Sequence, residues 1–262
     1  MKRPKPTSSL RMGDSDSDYS TEYTPEDYIF PATARHPLLT ITAQTVVPPP
    51  PEFLLNLRLK NEEISGRRLW AGSVVLGCYL RAQYEPLSSK QTDICELGCG
   101  SGVLGMMLSK TLSPSSDISL CLTDNDSVAL DLCRENLQLN SLNYLTVGNY
   151  AWGEDTSAEN DGCCIKGSKF DVVIAGDVMY KEGLPELFFK AASDILVPDG
   201  VMYICHVPRY TVTHDVVVRA AGEAGFVIET VAEGNDVVCE DVKEVSVPRR
   251  RRFGIAFWTN KE

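Results

Sequence analysis

The chain has 262 residues, 43% of them hydrophobic and 8% aromatic, which is enough apolar material for a sizeable core and too much for a wholly disordered polymer. A formal net charge of −11 at pH 7 argues against affinity built on phosphate neutralisation, so no nucleic-acid partner is expected, and a small cofactor or a basic protein substrate fits better. The longest strongly apolar stretches, such as 70–80, fall short of the roughly 20 residues of a membrane span, and Met1-Lys2-Arg3 has no apolar segment behind it, so neither a membrane partner nor a secretory leader is expected.

Residues 1–51 hold nine of the fifteen prolines, no tryptophan, and the run Asp14-Ser15-Asp16-Ser17-Asp18. Such a stretch cannot bury enough surface to offset its ordering entropy and is expected to be a disordered tail, with 48–51 a stiff polyproline lead into the fold. Within it, 38–47 has the Val, Ile and Thr content of a short β arm. Residues 52–262 are expected to form one domain. In chain order its pattern reads helix 69–84, strand 93–97, helix 103–112, strand 118–123, helix 127–140, strand 170–175, helix 184–196, strand 201–207 and helix 211–224. The four strand runs are nearly continuous in apolar residues, as strands buried on both faces are. Strand and helix in alternation predict an α/β, Rossmann-like, mostly parallel sheet with helices on both faces. The end differs: 226–231 and 253–259 are strand-like with no helical pattern between them, which predicts a closing antiparallel β hairpin. The nine cysteines show no Cys-x-x-Cys spacing and several lie in apolar runs, so they are expected to be structural thiols, with no metal ligated.

The segment Glu96-Leu97-Gly98-Cys99-Gly100-Ser101-Gly102 runs from predicted strand into predicted helix. Its glycines allow positive φ and leave bare backbone for a ligand to touch. A dinucleotide places a pyrophosphate at such a helix N-terminus. Glu96, two residues ahead of the first glycine, is expected to repel a phosphate and to accept from an amine or hydroxyl, which favours a phosphate-free nucleoside bearing an amine, such as S-adenosylmethionine. Past Gly102 the next strand ends in Thr123-Asp124-Asn125-Asp126, where Asp124 is placed to take both ribose hydroxyls and Asp126 to cap the following helix.

These residues resemble a known family. Glu-Leu-Gly-x-Gly-x-Gly, then Thr-Asp, Asn136-Leu137-x-x-Asn140, Trp152-Gly153 and Asp177-Val178-Met179-Tyr180 resemble the seven-β-strand S-adenosylmethionine-dependent protein methyltransferases of methyltransferase family 16, whose hallmark is Asp-x-x-Tyr. The resemblance runs over about 69–208 and implies a seven-stranded sheet, S-adenosylmethionine as cofactor, and a protein substrate methylated most often on lysine, with arginine and histidine enzymes among near relatives. It further implies that Glu96, Gly98, Gly100 and Gly102 line the methionine and ribose side of the cofactor and that Asp124 holds the ribose. Trp152 would stand beside the adenine and Trp70 would close the methionine end. Asp177 and Tyr180 would sit as catalytic residues at the rim where the target side chain enters. Family members often carry Pro or Ser after the first tryptophan, where this chain has Ala71-Gly72.

A lysine amine of pKa about 10.4 must lose a proton before it attacks, at roughly 4 to 5 kcal/mol at neutral pH. A carboxylate beside the ammonium raises that pKa, so Asp177 is expected to position the substrate while the proton leaves to water or through Tyr180. His206, at a strand end, is a weaker candidate base. Three rivals stand beside this reading. A nucleic-acid amino methyltransferase would carry two prolines where Val178 and Met179 stand; a small-molecule methyltransferase and a non-catalytic cofactor-binding protein are the others. A monomer is expected, cytoplasmic, with nuclear access as the secondary reading: Arg249-Arg250-Arg251-Arg252 is read as a soluble hairpin edge ahead of a nuclear address or a contact for an acidic partner, and Lys2-Arg3-Pro4-Lys5 as a second, weak nuclear signal.

Overall fold

The computed structural model describes residues 23–30, 32–34, 36–46, 65–83, 92–112, 118–153, 165, 167–233 and 254–260. In chain order these form β1 (Tyr23–Phe30), β2 (Leu39–Val46), a single 3-10 turn (Ser65–Arg67), α1 (Ala71–Gln83), β3 (Thr92–Leu97), α2 (Val103–Thr111) and β4 (Ile118–Asp124). They continue with α3 (Ser127–Leu139), β5 (Thr146–Asn149), β6 (Phe170–Gly176), α4 (Leu184–Ile195), β7 (Leu196–His206), α5 (His214–Glu223), β8 (Phe226–Glu233) and β9 (Gly254–Asn260).

Seven strands make one sheet in the order β5-β4-β3-β6-β7-β9-β8. The five strands β3 to β7 pair in parallel, and β8 and β9 close the sheet as the antiparallel hairpin predicted from their lack of an intervening helix. Side chains alternate between two cores. Ile94, Leu122, Val172 and Ile174 face α1, α2 and α3, while Cys95, Cys121, Val173 and Ala175 face Phe188 and Phe189 of α4 and Val217 of α5. Each central strand is therefore apolar on both faces, which is the physical reason its sequence reads as an unbroken run. The chain winds from β3 outward to β5, then returns to β6 on the other side of β3. That reversal leaves a crevice above the carboxyl ends of β3, β4 and β6.

Two expectations are corrected. The disordered tail over 1–51 does not describe Tyr23–Phe30 and Leu39–Val46, which pair as an antiparallel ribbon of eight residues a strand, from Tyr23 opposite Val46 to Phe30 opposite Leu39. Tyr28, Phe30, Ile41 and Ala43 of that ribbon are buried in the α1–α3 core. The β arm foreseen over 38–47 is thus one half of a pair. Asn136 on α3 and Asn140, one turn on at that helix's C-cap, grip its outer edge. Asn136 accepts from the Gln44 N–H at 2.6 Å and donates to Gln44 O at 3.1 Å, and Asn140 donates to Thr42 O at 2.6 Å and accepts from the Thr42 N–H at 3.3 Å. Two side-chain amides thereby supply the bonds a neighbouring strand would make. The second omission is β5, four residues long at the sheet edge, with only Gly148 buried.

Elsewhere the boundaries move for local reasons. Helix α5 begins at His214 because the Thr213 side chain caps it, accepting from Val216 N–H at 3.5 Å. Arg81 on α1, fully buried, donates to Thr111 Oγ1 at 2.9 Å and to Pro37 O at 2.6 Å, tying α1 to α2 and to the loop of the ribbon. Among the described residues six cysteines, at 78, 95, 99, 121, 133 and 205, are buried thiols. The polyproline lead, the Ser/Asp run and both basic runs lie outside the described residues.

Candidate active site

The loop after β3 turns through Gly98, Gly100 and Gly102, with φ of 72°, 52° and 81°. Cys99 N–H donates to Thr123 O at 2.8 Å and Gly100 N–H to Asp124 Oδ2 at 2.9 Å, so the loop is stapled to the end of β4. A Cβ at Gly100 would stand 2.5 Å from Gly66 O and one at Gly98 would stand 2.8 Å from Val178 Cγ1. Side chains are excluded at both positions by contact as well as by φ. Above the loop opens a cavity continuous with solvent, with about 1090 Å³ of empty space when the open solvent at its mouth is included. Gly98, Gly100, Asp124, Trp152, Asp177, Tyr180 and Trp70 all line it.

Glu96 and Gly102 do not line it. The strand's alternation turns Glu96 towards α2, where its Oε2 would lie 2.6 Å from a Cβ at Gly105 and makes no hydrogen bond among the described residues. Burial pushes its carboxyl up to about 8, helped by the nearby Asp124 charge and opposed by the Gly105 N–H that it accepts. Glu96 thus favours its protonated form and stands outside the cavity lining, so the expected selection of the ligand by its charge is corrected. Gly102 serves packing: a Cβ there would meet Cys133 Sγ of α3 at 2.5 Å.

Asp124 is the carboxylate that faces the cavity. Its Oδ2 accepts from Gly100 N–H and its Oδ1 from Asp126 N–H at 3.0 Å, which fixes its plane. Burial raises its pKa, and these backbone bonds oppose the rise. Asp126 caps α3 as expected, accepting from Val128 N–H at 2.9 Å, and also pairs with Arg67 at 3.2 Å. Trp152 lies edge-on to Phe188 with ring centroids 5.3 Å apart, and Tyr150 lines the same end.

Residues 65–70 form a strap that the sequence reading missed, since three residues of 3-10 turn carry no periodicity. The Trp70 indole N–H donates to Ser65 O at 2.8 Å, Ser65 Oγ donates to Tyr180 Oη at 3.2 Å, and Arg67 holds Asp126. The strap thus spans from the Asp126 end of the cavity to the Tyr180 end.

Asp177, 5% exposed, has φ of 61°, an uncommon conformation for a residue with a side chain. Gly72 makes room for it, because a Cβ there would approach Asp177 Cβ to 2.6 Å; a larger residue at position 72 would not fit. Its carboxylate is already engaged. Arg209 Nη1 donates to Oδ1 and Nη2 to Oδ2, each at 2.9 Å, and Val207 N–H reaches Oδ1 at 3.3 Å. The expected simple grip of Asp177 on a substrate ammonium is therefore corrected to a carboxylate shared with an arginine. Arg209 escaped the sequence reading because it stands in a loop; its place three residues beyond the carboxyl end of β7 was the available signal. His206 lies outside the cavity lining, donates to Val212 O at 3.2 Å, and is pushed down to about 4 by burial and by the Arg209 charge, so it is a structural, neutral imidazole.

A family model described as lysine methyltransferase matches residues 51–218, more than half of the chain. The chain belongs to the lysine methyltransferase family. This lysine methyltransferase is 25% identical over 205 residues to the protein N-terminal and lysine N-methyltransferase EFM7 of Yarrowia lipolytica, covering 70% of this chain and 73% of that relative. Its fold is similar to that of a TehB-like SAM-dependent methyltransferase from Corynebacterium glutamicum, with TM-score 0.50 at 18% identity over 80% of this chain and 95% of that one. It is similar also to the cyclase SpnF, with TM-score 0.53 at 13% identity over 76% and 86% of the two chains. A cyclase on the same fold shows that the fold alone does not fix the reaction.

The enzyme is an S-adenosylmethionine-dependent methyltransferase, and its cavity suits that cofactor. The glycine loop gives bare backbone, Asp124 gives an oriented acceptor for a ribose diol, and Tyr150 and Trp152 give aromatic surface for a purine. The first turn of α2, where a pyrophosphate would sit, presents Val103, Leu104 and Met106 and no basic side chain.

Proposed function

We propose that this lysine methyltransferase transfers a methyl group to a lysine amine of a partner protein, and that its cavity divides into a donor end at Asp124 and an acceptor end at Asp177 and Tyr180. The observation that carries this reading is that both carboxylates line one cavity at the carboxyl ends of the parallel strands β4 and β6, on either side of β3, with Asp124 oriented by two backbone N–H donors and Asp177 by Arg209 and the Val207 N–H. S-adenosylmethionine supplies an electrophilic methyl group on sulfur, so the protein's task is alignment more than acid–base work. Asp124 accepts from the ribose hydroxyls, Gly98 and Gly100 let the nucleoside rest on backbone, and Trp152 flanks the adenine. Trp70 and the strap cover the methionine portion. Tyr180 and Asp177 orient the acceptor nitrogen by hydrogen bonds. The net charge of −11 supports a basic polypeptide over nucleic acid, and both helix layers bury their apolar faces on their own sheet, which supports a monomer. We place it in the cytoplasm with access to the nucleus.

Incubation of the purified chain with methyl-labelled S-adenosylmethionine and a cell extract, followed by protease or nuclease, tests the acceptor class. Label released by protease and absent with Asp124→Ala is expected; label released only by nuclease overturns the reading.

A further inference from the structure

Asp177 and Arg209 form a bidentate pair at the acceptor end, and the fold holds that pair from several sides. The Asp177 N–H donates to Cys205 O at 2.7 Å, Gly72 packs on its Cβ, and Val207 N–H reaches its Oδ1. Arg209 is fixed as firmly: its N–H donates to Val212 O at 2.9 Å, closing the turn after β7, and its Nη1 also donates to Val207 O. Asp177 lines the cavity and Arg209 does not, so the guanidinium reaches the carboxylate from behind.

This geometry has an electrostatic result. A lone carboxylate would hold an incoming lysine as its ammonium, the form without a lone pair. A carboxylate matched by two parallel guanidinium bonds carries little net charge but keeps lone pairs that accept an amine N–H. The other charged side chains around the acceptor end have the same effect. Lys181 lies over the Tyr180 ring, 5.9 Å from its centroid, and Arg68 over Trp70 at 5.0 Å, and both line the cavity. The acidic lining residues Asp124 and Asp126 belong to the donor end.

We propose that Arg209 is a positioning and specificity residue: by pairing with Asp177 it makes the acceptor end of the cavity accept an uncharged amine in preference to an ammonium. The proposal rests on the function proposed above, and its test separates the two. Calorimetry is run with S-adenosylhomocysteine and with sinefungin, a cofactor analogue in which an amine-bearing carbon replaces the methylated sulfur and so presents a cation to the acceptor end. The wild-type enzyme is expected to bind both with little preference. Arg209→Met removes the guanidinium from Asp177 and should shift the preference towards sinefungin by about tenfold or more, the scale of one pKa unit of interaction. Arg209→Lys should stay near wild type, and Asp177→Asn with Arg209→Met together should restore the wild-type ratio. If Arg209→Met does not fold, Asp177→Asn alone gives the mirror result, a cation left unmatched and sinefungin disfavoured by about tenfold. Equal weakening of both ligands, or an unchanged ratio, overturns the proposal and leaves the methyltransferase reading intact. Failure of the wild-type enzyme to bind either ligand overturns the functional reading and this inference with it.

Discussion

Asp124 on β4 ends its strand with both carboxylate oxygens already steered by backbone N–H groups, while Glu96 on β3 stands outside the cavity lining, beside Gly105 of α2. Asp124→Asn should keep the shape and lose a charge-assisted bond to the ribose, weakening S-adenosylhomocysteine by about 1.5–3 kcal/mol, or roughly 10- to 150-fold, in calorimetry. The identity of Asp124 was legible because the first acid after an apolar strand stands at the sheet edge that binds ligands. Glu96 was misread for a physical reason. Sequence gives its distance from the glycines but not which face of β3 it occupies, and one step of alternation decides between cavity and core. Arg209 was illegible because a loop residue's reach depends on a turn closed by Val212, a tertiary fact.

At the scale of elements, α3 does more than cover the sheet. Asn136, fully buried, bonds Gln44 on the ribbon and also donates to Ser101 O of the glycine loop at 2.9 Å. Asn136→Ala removes three hydrogen bonds and strands their partners, so urea unfolding should show a loss of about 2–4 kcal/mol. Affinity for S-adenosylhomocysteine should fall as well, since the loop loses a tether. The Asn-x-x-x-Asn spacing was visible in the sequence, and its task became visible only with β2 beside it. The ribbon itself was half legible. Burial alternates along Asp27 to Phe30, with Tyr28 and Phe30 inside and Asp27 and Ile29 outside, but Pro25, Glu26 and Asp27 gave the composition of a tail. The helices and central strands could be read because each repeats its apolar period long enough, whereas β5 ends after four residues.

For the whole molecule, two buried groups set opposing pH slopes. His206 has its pKa lowered from 6.5 to about 4, so its contribution to stability is present above 6.5 and is lost as pH falls towards 4. Glu96 has its pKa raised from 4.5 to about 8, so its contribution is present below 4.5 and is lost as pH rises to 8. Between about 4.5 and 6.5 the two slopes cancel, and from 6.5 to 8 stability should decline. Thermal unfolding across pH should show this plateau and fall, and Glu96→Gln should remove the fall and expose a rise with pH up to about 6.5. A wild-type profile that climbs from pH 6.5 to 8 would sink the assignment.

The strap over residues 65–70 reaches Asp126 through Arg67 and Tyr180 through Ser65. Under the function proposed here, lifting it to discharge spent cofactor would break the bond from Ser65 to Tyr180 at the acceptor end. Ser65→Ala is therefore expected to quicken S-adenosylhomocysteine dissociation in stopped-flow measurements, while Asp126 keeps its helix cap. With the strap intact, reloading and retention of the target compete, so the enzyme should add successive methyl groups in separate visits rather than in one stay.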